Sequence, residues 1–176
     1  DIAAWCVLRG LTVTLQDQTL ERIVPALRRA NELFTKRLRD PLKIRDANDR
    51  LIPDVGGDGA AHADVVIEAI FESVEAKHAL FKAIEPKLKA GAVVATNTPS
   101  LQLEDLRTVL ARPERLVGIH FFNPVAMMPL VEVVAADGAD PAAVQAACAF
   151  VRQIDTPPSP VKSAPGPLPT PAPPPP

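Results

Sequence analysis

Apolar and polar positions alternate along this chain in two patterns. Short apolar runs rich in valine and isoleucine are typical of buried strands, and stretches with apolar residues every three or four positions are typical of helices. Strand-like runs lie at 11–17, 50–54, 63–70, 91–96, 116–120 and 130–134, and helix-like stretches at 20–38, 72–88, 101–110 and 140–151. The polar stretch 42–50 is also expected to be helical. The alternation of strands and helices predicts an α/β fold with a mostly parallel sheet.

The two ends of the chain depart from this alternation. Residues 1–10 have the pattern of an amphipathic helix closed by Gly10, without a start signal before it. Residues 157–176 contain 11 prolines, which are incompatible with a helix or a central strand. We therefore predict one domain over residues 1–156, followed by an irregular proline-rich tail over 157–176 with polyproline II character.

Polar side chains concentrate where the predicted strands end. They are Asp17, the segment 68–72, the segment 97–100 and the segment 120–123. Ligands of parallel α/β sheets bind at the carboxyl ends of the strands, so these four segments predict a binding crevice.

His120 and Glu132 are the candidates for chemistry within that crevice. His120 ends one apolar run, and Glu132 is a single carboxylate within the next run. If the two strands are neighbours, the carboxylate can hold the imidazole, and such a histidine serves as a general base. The alternatives are a structural or surface histidine and a glutamate exposed at a sheet edge.

Composition narrows the classes of function. A formal net charge of −2 and a pI near 5.9 argue against a nucleic-acid partner. No apolar run approaches the ~18 residues of a membrane span, so we expect no membrane partner. Cys6 and Cys148 form no CxxC pair, so we expect buried thiols in a reducing compartment and no metal site. The sequence shows no basic-then-apolar leader, so we expect a cytoplasmic location.

Four segments together resemble one protein family: residues 64–70, 95–101, 112–125 and 128–133, the third containing His-Phe-Phe-Asn-Pro. They resemble the NAD-binding domain of 3-hydroxyacyl-CoA dehydrogenases, over roughly residues 1–166. Within that family, the chain is most similar to the dehydrogenase part of bacterial multifunctional fatty-acid oxidation proteins. The resemblance implies a Rossmann-like fold, NAD as cofactor, and oxidation of 3-hydroxyacyl-CoA to 3-oxoacyl-CoA in fatty-acid β-oxidation. It also implies homologues that are dimeric or part of a multifunctional complex.

The resemblance further assigns roles to single residues. His120 matches the catalytic base, Glu132 the carboxylate that orients it, and Asn123 the asparagine beside it. Asp17 matches the acid that binds the adenine ribose hydroxyls and favours NAD over NADP. The other matched cofactor positions are Ala69, Glu72, Lys77 and Asn97. For three of these residues a structural role without a cofactor contact is the alternative: Asp17 as a helix N-cap, Lys77 as an exposed helical lysine and Asn97 as a turn residue.

Three departures from the family pattern affect function. The family's first strand and glycine-rich pyrophosphate loop are absent from the sequence. Pro99 stands at the position of a serine that contacts substrate, which leaves Ser100 as the candidate for that role. The proline-rich tail stands where the family continues into a helical domain. The sequence therefore supports two hypotheses: a hydroxyacyl-CoA dehydrogenase domain, or a catalytically silent fragment or interaction module with a polyproline tail.

Overall fold

Seven strands form two groups in the computed structural model, which describes residues 2–128 and 130–163. The strands are β1 (Val13–Gln16), β2 (Leu51–Asp54), β3 (Val65–Glu68), β4 (Val93–Thr96), β5 (Leu116–Phe121), β6 (Val131–Ala135) and β7 (Pro158–Lys162). Strands β1 and β2 pair with each other, and the other five lie in the order β3-β4-β5-β6-β7. All neighbours run parallel except β5 and β6, so the predicted α/β fold with a mostly parallel sheet is confirmed.

The helices connect the strands as the apolar spacing predicts. They are α1 (Ile2–Leu8), α2 (Leu20–Leu38), α3 (Pro41–Asp49), α4 (Val74–Ile84), α5 (Leu103–Leu106) and α6 (Pro141–Gln153). Local chemistry sets several of their limits. Gly10, with φ +89°, follows α1, while the Asp40 and Asp140 side chains cap α3 and α6 with a proline at the next position.

Helices cover both faces of the larger group of strands, which makes the fold Rossmann-like. On one face, α6 and Cys6 of α1 pack against alternate residues of β4, β5 and β6, including Ala95, Ile119 and Val133. On the other face, Phe81 of α4 and Leu106 of α5 pack against the intervening strand residues. A third cluster joins α1, α2, α3 and β2.

The two groups of strands are not joined by a strand among the described residues. Strand β1 pairs with β2 and β3 pairs with β4, and neither pairs with the other.

Strand β7 corrects the prediction for the end of the chain. Residues 158–162 were predicted to be irregular, but they pair parallel with β6. The prolines explain why this strand is an edge. Pro158 and Pro160 lie two positions apart, so the N–H groups that they lack would both point away from β6. The N–H groups of the odd-numbered residues point toward β6, and Ser163 donates its N–H to Ala135 O at 2.9 Å. The rest of the predicted tail, 164–176, lies outside the described residues, and the domain limits stay a prediction.

Within residues 2–128 and 130–163, no helix combines the length and the apolar character needed to cross a bilayer.

Candidate functional site

The β5–β6 ladder brings His120 and Glu132 together. The two residues are direct partners in the antiparallel register, with Nδ1 of His120 3.2 Å from Oε2 of Glu132. Because side chains alternate along a strand, both point to the α4–α5 face of the sheet, like Leu116 and Val134. The predicted neighbouring strands are thus confirmed, and the pair faces one another across the ladder.

The surroundings of this pair favour a base. The side chains of His120 and Glu132 are 14% and 11% exposed, so water screens their interaction only weakly. The Phe122 ring lies 4.6 Å from the imidazole, centroid to centroid, at a tilt of 56°. A carboxylate at Nδ1 holds the proton on that nitrogen and leaves the lone pair on Nε2. The arrangement can therefore accept a proton at Nε2 and stabilise the resulting imidazolium.

Asn97 links the end of β4 to the candidate base. Its side-chain Oδ1 accepts a hydrogen bond from Phe121 N at 2.9 Å, and its backbone N–H donates to the backbone oxygen of Glu68 at 2.7 Å. The side chain thus fixes the backbone beside His120. Asn123 lies exposed just after β5, and the peptide bond between it and Pro124 is cis.

The Ser100 hydroxyl bonds to a carboxylate across the crevice. It donates to Oε2 of Glu72 at 3.2 Å, and Thr98 donates to the same oxygen at 2.5 Å. Pro99 lies between the two hydroxyl residues. The 97–100 segment is therefore tied to the loop after β3 through Glu72, and a substrate contact of Ser100 stays a prediction.

Asp17 lies at the carboxyl end of β1, where the ribose contact is predicted. Its side chain is 42% exposed, its Oδ1 accepts from Gln18 N at 2.7 Å, and Arg22 lies 3.9 Å away. The N-cap of α2 is Thr19, so the reading of Asp17 as the cap is wrong. An exposed carboxylate at this strand end suits a ribose diol.

The loop after β3 carries the other predicted cofactor residues. Ala69 and Glu72 lie on this loop, and Glu72 keeps 35% of its side chain exposed. Lys77 is wholly buried, so the reading of an exposed helical lysine is wrong. Its ammonium lies 2.7 Å from Oε1 of Glu68 and 3.3 Å from Oε1 of Glu72. A direct cofactor contact of Lys77 stays a prediction.

Glu68 and Thr96 also belong to the site, although Glu68 was predicted only as part of the segment 68–72 and Thr96 was not predicted. Both are buried, and Thr96 donates its hydroxyl to Glu68 Oε2 at 2.5 Å. A carboxylate at the end of an apolar strand was the available signal, because a buried carboxylate needs a partner. The partner, Lys77, lies on the following helix and was not recognisable from spacing alone.

The residues present fit part of an NAD molecule. Asp17 offers a carboxylate for the ribose, and Asn97 and His120 lie together at the ends of β4 and β5 for the nicotinamide side. The sequence contains no Gly-x-Gly-x-x-Gly loop for the pyrophosphate. Among the residues that the structure describes, no group of three histidine, cysteine or acidic side chains is placed to hold a metal ion.

The chain is similar to known proteins in sequence and in fold. The family model described as 3-hydroxyacyl-CoA dehydrogenase, NAD binding domain, matches residues 1–164. The fatty acid oxidation complex subunit alpha of Pseudomonas entomophila is 32% identical over 169 residues, which are 94% of this chain. The chain spans 24% of the length of that relative.

Solved structures show the same fold. A 3-hydroxybutyryl-CoA dehydrogenase from Escherichia coli matches with a TM-score of 0.88 and 30% identity, over 94% of this chain and 36% of that one. An (S)-3-hydroxybutyryl-CoA dehydrogenase from Ralstonia eutropha matches with a TM-score of 0.89 and 27% identity, over 95% of this chain and 60% of that one.

Proposed function

Because this chain belongs to the family of 3-hydroxyacyl-CoA dehydrogenase NAD-binding domains, we propose that it carries the base and the cofactor site of an L-3-hydroxyacyl-CoA dehydrogenase. The reaction is the oxidation of 3-hydroxyacyl-CoA to 3-oxoacyl-CoA in fatty-acid β-oxidation. The observation that carries the proposal is the His120–Glu132 pair. His120 lies at the carboxyl end of β5, and its Nδ1 is 3.2 Å from the Glu132 carboxylate. NAD is the cofactor of this domain family.

The chemistry of the pair matches the demands of this oxidation. Nε2 of His120 accepts the proton of the C3 hydroxyl as the C3–O bond becomes a carbonyl, and the C3 hydrogen leaves as hydride. NAD, when bound, supplies the hydride acceptor. Glu132 then stabilises the imidazolium, which a buried site without a carboxylate would penalise.

The roles of the remaining residues follow from their positions. In this proposal, Asp17 binds the ribose hydroxyls, and Ala69 and Glu72 line the cofactor. Asn97 holds the backbone beside the base. Asn123, exposed after β5, is placed beside the substrate in this proposal, with Ser100 on the opposite loop.

The partners and the location are part of the same proposal. The relatives named as fatty acid oxidation complex subunits support a place in a multifunctional complex, with 3-hydroxyacyl-CoA as substrate. A dimer is the expected assembly outside such a complex. The buried free thiols of Cys6 and Cys148 suit a reducing compartment, and we propose the cytoplasm.

One observation favours a catalytically silent domain as the second candidate. The substrate serine of the family is replaced by Pro99, and the hydroxyl of Ser100 is bonded to Glu72. A silent fragment or interaction module of this kind would not turn over substrate.

The test is NADH formation from 3-hydroxybutyryl-CoA and NAD by the full-length protein. We expect turnover in the wild type and a loss of about 100-fold or more in kcat for His120→Gln, because a general base contributes that much. His62→Gln is the matched control and is expected to keep wild-type kcat, since His62 precedes the amino end of β3 whereas His120 lies at the carboxyl end of β5. A wild-type protein that binds NADH but forms none from substrate would favour the silent candidate.

A further inference from the structure

Lys77 is a buried lysine on α4, a helix that also carries exposed residues. Helix α4 exposes Lys82, whereas the Lys77 side chain has no exposed area. Its ammonium donates to both carboxylate oxygens of Glu68, at 2.7 and 2.9 Å, and to Ile70 O at 3.3 Å. Burial of an ammonium is unfavourable unless such partners surround it.

Glu68 is held as tightly as the lysine. Its side chain is also fully buried, Oε1 accepts from Ile70 N at 2.7 Å, and Oε2 accepts from the Thr96 hydroxyl. The backbone oxygen of Glu68 accepts from Asn97 N. One residue at the end of β3 thereby fixes both the loop that follows it and the end of β4.

The contacts continue from Asn97 to the candidate base. The Asn97 amide oxygen accepts from Phe121 N, and Phe121 is the residue after His120. A continuous series of hydrogen bonds therefore runs from Lys77 on α4 through the carboxyl ends of β3 and β4 to the end of β5.

We propose that Lys77 and Glu68 are positioning residues for His120, acting through Thr96 and Asn97. This inference rests on the proposed function, in which His120 is the base. A buried ion pair contributes little net stability compared with a well-packed apolar pair, so stability alone is a poor reason for this one. Its directional hydrogen bonds instead fix three strand ends relative to one another, and misplacement of a reacting group by about 1 Å lowers a rate by about 100-fold.

The test uses the paired substitution Lys77→Met with Glu68→Gln in the full-length protein. Removing both charges together avoids the uncompensated buried charge that either single change would leave. The matched control is Lys82→Met with Glu75→Gln, two exposed residues of the same helix. Folding is checked by circular dichroism, positioning by the NMR chemical shifts of the His120 imidazole, and chemistry by kcat for 3-hydroxybutyryl-CoA.

We expect the folded double variant to shift the His120 signals, to leave those of His62 unchanged and to lower kcat by about 100-fold. The control pair changes none of these. A folded double variant with wild-type His120 signals and wild-type kcat would overturn the proposal, because a merely stabilising pair predicts that result.

A second variant keeps the test decisive if the double variant does not fold. Thr96→Val removes one hydrogen bond to Glu68 while both charges remain, and it is expected to shift the His120 signals and lower kcat. Unchanged signals and kcat in that variant would refute the positioning role. A wild-type protein without turnover would instead count against the proposed dehydrogenase, since the His120 signals report positioning without substrate.

Discussion

At the scale of single residues, the site depends on groups that alter one another's chemistry. Glu132 is a buried carboxylate whose partner is His120, and the two are held opposite each other by the ladder rather than by long flexible side chains. The imidazole is therefore oriented before any ligand arrives, which is the property that a base requires.

The substitution Glu132→Gln removes the negative charge of this side chain and nearly preserves its size and shape. Glutamine keeps an oxygen that accepts from Nδ1–H, but it no longer compensates the imidazolium, so we expect kcat of the full-length protein to fall by about 100-fold or more. The affinity for NADH, measured by fluorescence titration, is expected to stay close to that of the wild type. Glu32→Gln, at an exposed position of α2, is the control. Wild-type kcat in Glu132→Gln would show that the carboxylate has no part in the chemistry.

Cys6 provides a test of the core rather than of the site. Burial raises the pKa of its thiol to about 12, and the residue is 4% exposed. Because the thiolate is the reactive form, iodoacetamide is expected to leave Cys6 unmodified in the folded protein at pH 8 and to modify it after denaturation. Peptide mass spectrometry measures both states. Rapid labelling of the native protein would contradict the packing of α1 against the sheet.

At the scale of elements, strand ends and strand spacing determine where the site lies. Gly118 precedes His120 by two positions and pairs with Val134 on β6. A Cβ atom added at Gly118 would lie 2.9 Å from Cβ of Val134, closer than real side chains approach. The absence of a side chain here lets β5 and β6 pair closely beside the His120–Glu132 pair.

Gly118→Ala is therefore expected to destabilise the protein and to disturb the neighbouring pair. Overpacking of this kind costs about 1–3 kcal/mol in the free energy of unfolding, measurable by urea denaturation. Gly56→Ala is the control, because the added Cβ there meets only the flexible carboxylate of Asp58, at 3.2 Å. An unfolding free energy of Gly118→Ala equal to that of the wild type would refute the close packing of β5 on β6.

The elements also show which features the sequence made predictable. The first six strands followed from their apolar runs, and α2, α4 and α6 followed from apolar residues spaced three and four apart. Helix α3 was predicted from a polar stretch, and only Ala47 of it is buried. Strand β7 was not predicted, because its prolines are typical of irregular segments. An edge strand tolerates proline at positions where no backbone N–H has to donate a hydrogen bond. The stretch predicted as a helix over 101–110 is helical only as α5 and a short 3-10 turn, Arg107–Val109.

The positions of the candidate residues were predictable for the same kind of reason. His120, Glu132, Asp17 and Asn97 lie at the ends of apolar strands, and the sheet gathers strand ends. The burial of Lys77 was not predictable, since a lysine on an amphipathic helix is ordinarily exposed. Its partner becomes evident only when β3 and α4 are folded against each other.

At the scale of the whole molecule, the candidate residues follow strand ends in both groups of strands. Asp17 follows β1 in one group of strands, while Asn97 and His120 end β4 and β5 in the other. The chain belongs to the NAD-binding domain family of 3-hydroxyacyl-CoA dehydrogenases, and two dehydrogenase structures share its fold. In the proposed function, hydride transfer takes place beside His120.

The most direct test follows the hydrogen that leaves the substrate. The full-length protein is incubated with NAD and 3-hydroxybutyryl-CoA carrying deuterium at C3, and the nucleotide product is analysed by mass spectrometry and NMR. The account predicts that the deuterium appears on the nicotinamide ring of NADH, at a rate that His120→Gln lowers by about 100-fold or more. Unlabelled NADH, or deuterium released to water, would contradict it.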